Sequence, residues 1–490
     1  SLSEPATEAE RAVASVWEEL LDAGPVGRES NFFELGGDSL MASRVIGRVR
    51  ALGYEDVRLQ LLFDTENLSE FCKTLRKREA RPKQEALIEV DPSKEYESFP
   101  LTEIQHAYLV SRGDSSSQAT VGTTYCQIFA VDEIDLDRLD AAWGKVQKRH
   151  GMMRASVEED GTQSIAPSSK IGHIERAECA NSSEAKQQLE EIKRTVFALA
   201  KPPLHRVVSI SWHEESGKQT RLVFCFDYTV LDALSVMTVL AELAELYENP
   251  GADLPGIGLT FRDFVVGHRR DGREVEEAEG YWRSRLPELP PAPQLPLAAD
   301  PSTVGEGRFE RLWRTVAEPE WSAVKEKARL HGITPSAVLL ACYARVLSAW
   351  SGGGGVTLNL TIFDRPEVHP DIDKVVGDFT TLLPVACRPS ADASVEAQMR
   401  GVQNELAGGL EHRAVSAVWV QRELARSAGT SGVVLPVVFT SALGLSRFDL
   451  DGGFMDYLGG LSQTPQVWLD HQAMERGGGV MLSWDYVSEL

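Results

Sequence analysis

Two aspartates and a serine close a short apolar stretch near the middle of the chain. Residues 223–235 read VFCFDYTVLDALS, in which an apolar run ends at Asp227, Asp232 follows, and Ser235 stands near the start of a helix-like segment. A strand that delivers two carboxylates into the turn before a helix can build a reaction site. The same residues can also cap the helix and anchor the loop. From these residues alone both interpretations are open.

A second candidate is a serine after a glycine-rich turn. In NFFELGGDSLMASRV (31–45), Gly36 and Gly37 form the turn, Asp38 follows, and Ser39 opens a helical pattern. A hydroxyl at this place can simply cap the helix. The helix start would also tolerate the negative charge of a phosphodiester attached to the serine.

Composition predicts a globular chain with an acidic balance. With 490 residues, 42% hydrophobic and 25% charged, the chain is too long for one ordinary core, so two to four folding units are expected. Its net charge of −23 disfavours nucleic acid and anionic lipid as partners. No uncharged apolar stretch approaches the ~18–20 residues of a membrane span, and the N-terminus lacks the pattern of a secretory signal. We therefore expect a cytoplasmic location.

The six cysteines are far apart and show no metal-binding spacing. Scattered single cysteines predict reduced, mostly buried thiols. Cys225 lies in an apolar strand-like run and Cys342 in a helical one, so both are predicted to fill cores rather than to act as nucleophiles.

The elements that must position these residues fall into two units. Residues 1–76 carry three amphipathic helical patterns, which predict a small helical bundle, and residues 77–96 are charged and read as a linker. From residue 97 onward, short β-rich runs alternate with helical patterns, which predicts an α/β or α+β fold. A proline-rich segment near residue 290 divides this unit into lobes of about 97–265 and 266–490.

The string around Ser39 resembles the attachment site of a peptidyl carrier domain, with its Gly-Gly-Asp-Ser-Leu core. The resemblance covers residues 1–76 and implies an all-α four-helix fold. It also implies that Ser39 carries 4'-phosphopantetheine, added from coenzyme A by a phosphopantetheinyl transferase. Ser39 would then be a tether and not a catalyst.

The large unit resembles the heterocyclization domains of nonribosomal peptide synthetases. Condensation domains carry His-His-x-x-x-Asp-Gly at the strand-to-helix turn, whereas residues 227–235 here read D-x-x-x-x-D-x-x-S. Further strings of the family follow in order, including FPLTEIQHAYLVSRG (99–113), RHGMMR (149–154), GDFTTLLPV (377–385), LPVVFTSALGL (435–445), SQTPQVWLDHQA (462–473) and SWDY (483–486). The resemblance covers about residues 97–490 and implies a two-lobed α/β domain, a pseudo-dimer similar to chloramphenicol acetyltransferase.

This resemblance implies formation of an amide with a cysteine, serine or threonine thioester, followed by cyclodehydration to a thiazoline or oxazoline. It favours Asp470 and Thr440 as the pair for the second stage, because one carboxyl group can accept and return protons while a hydroxyl orients it. Residues 466–470 look strand-like, so alternation predicts that Gln466 shares a face with Asp470. The apolar flank of Asp470 and the adjacent His471 predict partial burial, which would raise its pKa.

We expect the two carboxylates of the opening turn to be structural first. Two like charges in one small cavity repel each other, so Asp232 is predicted to pair with Arg365 and anchor the turn between the lobes. Ser235 is predicted to cap or tie the helix start. Asp227 would then be the carboxylate that faces the tunnel, if either of the two does. Asp364 stands where the family more often has asparagine, and no role is assigned to it.

The order of the two units implies a donor carrier followed by its heterocyclization domain. The expected partners are an upstream adenylation domain, and downstream adenylation and acceptor carrier domains. Two alternatives are a condensation domain that stops at the linear amide and a scaffold fragment without turnover. Neither the donor acyl group nor the cyclized residue can be read from the sequence, and no metal site is predicted.

Overall fold

The computed structural model describes most of the chain. The described residues are 3–21, 23–55, 57–77, 88–113, 122–304, 307–429, 435–444 and 453–490. Much of the predicted linker, residues 78–87, therefore lies outside the described residues, and so does the end of the LPVVFTSALGL string.

The first unit is a small bundle of helices, as predicted. Its elements are α1 (Glu8–Leu21), α2 (Ser39–Ala51), β1 (Tyr54–Glu55), α3 (Leu59–Asp64), α4 (Leu68–Thr74) and β2 (Arg76–Lys77). The apolar stripe of α1 buries Val13, Val16 and Trp17, and the Trp17 ring meets Phe32 edge-on at 5.6 Å between centroids. Asp38 caps α2, because its carboxylate accepts the Met41 N–H at 2.8 Å.

The first half of the large unit places helices against a mainly antiparallel sheet. Its elements are β3 (Phe99–Pro100), α5 (Glu103–Gly113), β4 (Thr124–Val131), α6 (Leu136–Arg149), β5 (Ala155–Val157), β6 (Thr162–Ile165), β7 (Glu175–Glu178), α7 (Ser182–Lys193), β8 (His205–Glu214), β9 (Gly217–Asp227), α8 (Ala233–Glu248) and α9 (Phe261–Gly267). Among the described strands of this sheet, only β7 and β8 pair in parallel.

The second half repeats this arrangement around a larger sheet. Its elements are α10 (Gly272–Arg285), β10 (Phe309–Val316), α11 (Glu318–Leu330), α12 (Pro335–Trp350), β11 (Val356–Phe363), β12 (Thr380–Cys387), α13 (Val395–Glu411), α14 (Ala417–Ala428), β13 (Val437–Ala442), β14 (Asp456–Gln463), β15 (Leu469–Arg476) and β16 (Gly479–Val487). The two-lobed α/β prediction is confirmed.

One strand of the second half belongs to the sheet of the first. The first sheet runs β14-β4-β9-β8-β7, and the second runs β10-β16-β15-β13-β11-β12. Strand β14 pairs antiparallel with β4, from Gln463 opposite Thr124 to Asp456 opposite Ala130. The chain then returns to the second sheet through β15. The two halves are therefore joined by backbone hydrogen bonds as well as by side chains.

The parallel neighbours β13 and β15 set the register on which the site depends. Val438 lies opposite Asp470, and Thr440 lies opposite Gln472. Because side chains alternate across a sheet, these four residues share one face. Their neighbours Phe439 and Ala473 point to the opposite, fully buried face and join the core beneath the helices.

Two predictions about the cysteines are wrong. Cys126 and Cys225 form a disulfide, because the antiparallel pairing of β4 with β9 places them directly opposite each other, with 4.2 Å between the Cα atoms. Their separation of 99 residues hides this pairing from the sequence. Cys342 is exposed on the outer face of α12 rather than buried in a core.

No single helix among the described residues is long and apolar enough to cross a membrane. The helices α11 and α12 pass that test only as a pair, which is bent by 102°.

Candidate functional site

A cavity of about 100 Å³ lies between the two sheets. One wall is the second sheet, which contributes alternate residues of β11, β12, β13 and β15. The facing wall comes from the first half and includes three tyrosines, Tyr108, Tyr125 and Tyr228. The rings of Tyr125 and Tyr228 stack at 5.7 Å, and the Tyr228 hydroxyl lies 3.1 Å from Ser462 Oγ of β14. No lysine, arginine or histidine is among the described residues that line this cavity.

Asp470 and Thr440 come together on the sheet wall. Thr440 Oγ1 lies 3.4 Å from Asp470 Oδ1 and 3.1 Å from the hydroxyl of Thr361 on β11. The first of these distances is long for a hydrogen bond between oxygens, so Thr440 holds the carboxyl group only weakly. Asp470 Oδ1 is thus the carboxylate oxygen that lies within reach of the Thr440 hydroxyl.

The environment of Asp470 makes its carboxyl group a weak acid. Burial, together with the negative charge of Asp485, raises the pKa of Asp470 to about 7. A hydrogen bond from the Gln472 amide and the charge of Arg311 oppose this rise. Asp470 is partly buried, as predicted, and the direction of its pKa shift agrees with the expectation from the sequence. The adjacent His471 ring stacks on Trp484, and burial lowers its pKa to about 4, so this ring is neutral.

The strand prediction for Gln466 is wrong. Gln466 lies in an exposed turn with a backbone φ of 67°, before β15 begins at Leu469. The turn breaks the alternation on which the prediction depended, and Gln466 does not line the cavity. The glutamine that contacts Asp470 is Gln472, whose Nε2 donates to Asp470 Oδ2 at 2.7 Å. Period-two alternation carried forward from Asp470, rather than backward, would have found it.

The predicted pair of Asp232 and Arg365 is present and joins the lobes. Arg365 donates from Nη1 to Asp232 Oδ2 at 2.8 Å and from Nη2 to Oδ1 at 3.0 Å, and both residues are buried. The Ser235 hydroxyl donates to the Gly377 carbonyl at 2.8 Å and also accepts the Gly377 N–H. Gly377 also lies close against the Phe261 ring, since a Cβ at this position would stand 2.2 Å from it. Asp232 itself caps α8, so the expected roles of both residues are seen.

Neither Asp227 nor Asp232 lines the cavity, so the condition under which Asp227 was expected to face it is not met. Asp227 is fully buried, and its carboxylate pairs with Arg112 at 2.5 Å and accepts the Thr229 N–H at 2.9 Å. Burying the charged Asp227 carboxylate without a cation would cost free energy, and the ion pair with Arg112 offsets that cost. Asp364, to which no role was assigned, pairs with Arg413 at 3.0 Å.

Ser39 lies against the second half of the large unit. Its hydroxyl is 2.7 Å from Thr334 Oγ1, at the residue that caps α12, and the serine is 4% exposed. A second cavity begins here, with Ser39, Ser336 and Ser441 at one end and apolar side chains of α12, α13 and the sheet beyond. Thr361 and Phe363 line both this cavity and the one that contains Asp470. The two cavities are therefore neighbours.

Charged pairs hold the helical unit in this position. Arg48 Nε lies 2.7 Å from Glu367 Oε2, and Arg44 pairs with Asp373 and, at 3.5 Å, with Glu367. Arg329 and Glu34 form another pair at 2.5 Å. The Leu59 N–H at the start of α3 donates to Glu411 of α13 at 2.7 Å. These contacts surround Ser39 on more than one side.

Comparison with known families agrees with the two units. A family described as "Phosphopantetheine attachment site" matches residues 11–75, and one described as "Condensation domain" matches residues 95–488. The chain belongs to the condensation-domain family. It combines a phosphopantetheine carrier with a peptide-bond-forming, condensation-type domain of a nonribosomal peptide synthetase.

Its relatives include ring-forming synthetases. The chain is 33% identical to phenyloxazoline synthase MbtB of Mycolicibacterium paratuberculosis, over 95% of this chain and 40% of that protein. It is 30% identical to bacitracin synthase 1 of Bacillus licheniformis, over 99% of this chain and 10% of that protein. The solved EpoB NRPS cyclization-docking bidomain from Sorangium cellulosum superposes with a TM-score of 0.76 at 32% identity, covering 88% of this chain and 86% of that one. The chain spans less than half the length of the two synthetases.

The residues around Ser39 fit a phosphopantetheine group chemically. The Ser39 hydroxyl stands at the start of α2, where the helix end favours a phosphodiester, and the hydroxyls of Thr334 and Ser336 are hydrogen-bond donors beside it. The adjoining cavity is small, with a volume of about 30 Å³, so in this position of the carrier only the surroundings of the Ser39 hydroxyl, and not the space for the arm, are formed. Among the described residues, no group of three or more histidine, cysteine, aspartate or glutamate side chains could hold a metal ion.

The buried pair of Asp232 and Arg365 gives a stability prediction. Asp232→Asn keeps an oxygen for the helix cap but removes the charge opposite Arg365, so it should lower the free energy of unfolding by about 3–5 kcal/mol. Glu175→Gln is the matched control, because it breaks an exposed pair with Arg206 and should cost about 0–1 kcal/mol. Denaturant unfolding of both variants measures the difference, and equal effects would contradict a role of Asp232 in holding the lobes together.

Proposed function

We propose that this chain joins an acyl group carried on Ser39 to a cysteine, serine or threonine and then closes the new amide into a thiazoline or oxazoline ring. The observation that supports this proposal is Asp470, which faces the cavity between the lobes with a pKa of about 7. A carboxyl group with such a pKa can accept and return protons near neutral pH.

The first stage is amide formation. When attached to Ser39, the phosphopantetheine arm supplies the thiol that holds the acyl group as a thioester. The amine nitrogen of the acceptor residue bonds to the thioester carbon, and the carbon–sulfur bond breaks. The proton that the nitrogen loses replaces the acyl group on the sulfur. The protein contributes the cavity between the lobes, which brings the amine and the thioester together.

The second stage is cyclodehydration. The side-chain thiol or hydroxyl of the acceptor residue adds to the amide carbonyl carbon, while Asp470 accepts its proton and passes it to the carbonyl oxygen. Asp470 then accepts the amide N–H proton and gives it to the resulting hydroxyl group. The carbon–oxygen bond breaks, water leaves, and the carbon–nitrogen double bond completes the ring. Two protons leave with the oxygen, and Asp470 ends ionised, as it began.

Thr440 assists Asp470 in this scheme. Its hydroxyl lies between Asp470 Oδ1 and the Thr361 hydroxyl, so it can donate to either oxygen by rotating its O–H bond. This freedom lets Thr440 stabilise the ionised carboxylate and release it when Asp470 takes a proton. Thr361, the hydroxyl partner of Thr440, was not indicated by the sequence.

The relatives and the position of the carrier support the proposal. The relatives named above include a phenyloxazoline synthase, and the structural neighbour is a cyclization bidomain. Ser39 lies at a cavity adjoining the Asp470 cavity, as a donor carrier requires. We further propose a phosphopantetheinyl transferase and an upstream adenylation domain as partners that load this carrier. A downstream adenylation domain and acceptor carrier would supply the cyclizing residue.

The mass of the product tests the proposal. The chain is loaded on Ser39 with an acyl group and mixed with a separate carrier that bears cysteine, serine or threonine. The ring product weighs one water less than the linear amide. A linear product from the unaltered chain with all three acceptors would contradict ring formation and leave the condensation-only alternative.

Replacing Asp470 should separate the two stages. Asp470→Asn cannot accept a proton, so ring formation should fall by about 10²- to 10⁴-fold, while the linear amide accumulates. Asp392→Asn, a matched change in an exposed loop, should form the ring at the normal rate. Mass spectrometry of both reactions gives the ratio of ring to linear product, and normal ring formation by the Asp470 variant would remove Asp470 from the mechanism.

Ring formation should also depend on pH near neutrality. Asp470 begins the second stage ionised, and its pKa is raised to about 7, so the rate should rise with pH and reach half its maximum near pH 7. Conversion of the preformed linear amide at a series of pH values measures this dependence. A half-maximum near the ordinary aspartate pKa of about 4 would contradict the assigned role.

The ion pair between Arg48 and Glu367 predicts that reversing one charge at the contact between the two units slows acyl transfer from Ser39. Glu367→Arg would place three arginines together, so acyl transfer from Ser39 should slow by about tenfold, which corresponds to about 1.4 kcal/mol. The double variant Arg48→Glu and Glu367→Arg should recover part of the rate, because it restores opposite charges. Glu175→Arg, at an exposed pair far along the chain, is the control. Single-turnover transfer at low salt is the measurement, and absence of recovery would contradict this docking contact.

A further inference from the structure

Gln472 is wedged between the site carboxylate and a buried ion pair. Its Nε2 donates to Asp470 Oδ2 at 2.7 Å and lies 3.4 Å from Asp485 Oδ2. Its Oε1 accepts from Arg311 Nη2 at 3.2 Å. Every polar atom of the Gln472 side chain therefore faces a charged or ionisable neighbour.

The chemistry of these neighbours allows only one orientation of the amide. A guanidinium group has donors and no acceptor, so it must face the amide oxygen. Ionised carboxylates have acceptors and no donor, so they must face the amide nitrogen. If the Gln472 amide were rotated by half a turn, its NH₂ group would face the N–H donors of Arg311. Its oxygen would then face the carboxylate oxygen of Asp470.

Arg311 and Asp485 are themselves fixed. Arg311 donates from Nε to Asp485 Oδ1 at 2.7 Å and from Nη2 to Oδ2 at 2.5 Å, and the two side chains are 7% and 0% exposed. The pair connects the neighbouring strands β10 and β16, opposite each other in register. Tyr457 accepts a further hydrogen bond from Arg311 at 3.2 Å, and the Ser462 N–H donates to Asp485 at 3.2 Å. Both of these partners lie on β14, the strand that belongs to the other sheet.

We propose that the ion pair of Arg311 with Asp485 fixes the Gln472 amide, and that this amide occupies Asp470 Oδ2 so that Oδ1 is the oxygen left to exchange protons with the substrate. This inference rests on the proposed function and assigns Gln472, Arg311 and Asp485 as positioning residues. None of the three touches the reacting atoms in the proposed scheme. Their effect passes through the orientation and the acidity of Asp470.

The pKa of Asp470 is the quantity that these residues should move. The charge of Asp485 raises it, whereas the Gln472 hydrogen bond and the charge of Arg311 lower it. The other titratable groups around Asp470 are neutral near pH 7, because burial raises the pKa of Tyr108, Tyr228 and Tyr343 and lowers that of His471. Arg311 and Asp485 are thus the charges that face Asp470 among the described residues.

Two substitutions should shift this pKa in opposite directions. Gln472→Glu replaces a donor with a negative charge beside Asp470, so the pKa of Asp470 should rise by about one unit or more. Asp485→Asn removes a negative charge and leaves Arg311 positive, so the pKa of Asp470 should fall. Gln294→Glu adds the same charge in an exposed loop and is the matched control, for which no shift is expected.

The measurement is a pH titration of the full chain followed by infrared absorption of the protonated carboxyl group. Asp470→Asn identifies the band that belongs to Asp470. Circular dichroism establishes that each variant is folded, and Gln472→Glu decides the outcome if Asp485→Asn does not fold. An upward shift with Gln472→Glu supports the proposal, whereas a titration equal to that of the Gln294→Glu control would overturn it.

This experiment does not depend on ring formation. A chain that makes only linear amide would contradict the proposed function, while the infrared titration would still show whether the pair and the amide control Asp470. Conversely, the unaltered chain could form the ring while the pKa of Asp470 is unchanged in Gln472→Glu. That result would leave the proposed function standing and would reject the positioning roles of Gln472, Arg311 and Asp485. The two failures are therefore distinguishable.

Discussion

The buried ion pair between Asp232 and Arg365 is the constraint on which the site depends. It ties the start of α8 in the first half to the segment that leads from β11 to β12 in the second. The Ser235 and Gly377 contacts lie beside it, so side chain and backbone fix the same junction. Because the cavity is lined by residues of both halves, its shape depends on the distance between them. The pairing of β14 with the first sheet also fixes the distance between the two halves.

Four aspartates of the large unit differ in their partners. Asp227, Asp232 and Asp485 each pair with an arginine, respectively Arg112, Arg365 and Arg311. Asp470 instead has an amide and a weakly placed hydroxyl. A buried carboxylate that lacks a cation holds its proton more tightly than a paired one. Asp378 is also buried with a raised pKa, so the missing arginine does not by itself identify Asp470; what distinguishes Asp470 is that it also lines the cavity between the lobes.

Sequence patterns predicted the parts of the structure that depend on local periodicity. The helices of the carrier, the serine at the start of α2 and the aspartate after an apolar run were all indicated by short strings. The pairing of Asp232 with Arg365 followed from the cost of two like charges in one place. These inferences needed only neighbouring residues or one electrostatic rule.

The remaining features depend on contacts between distant segments. Arg311 and Asp485 are 174 residues apart, and only the register of β10 with β16 joins them. Gln466 was misplaced because a left-handed turn interrupts the strand pattern, and no glycine marks that turn. Asp227 acquired its partner from α5, a helix that precedes it by more than one hundred residues. Local patterns contain no information about any of these encounters.

The burial of Ser39 in the docked carrier has a consequence for the order of events. A serine that is 4% exposed cannot be reached by a transferase or by a loading domain. Priming, loading and delivery therefore use the same atom at different times, and the carrier must leave its seat between them. Partly exposed charge pairs suit such a contact, because they contribute little net free energy and separate readily. A tighter interface would keep Ser39 buried for longer and so delay every step that needs this serine exposed.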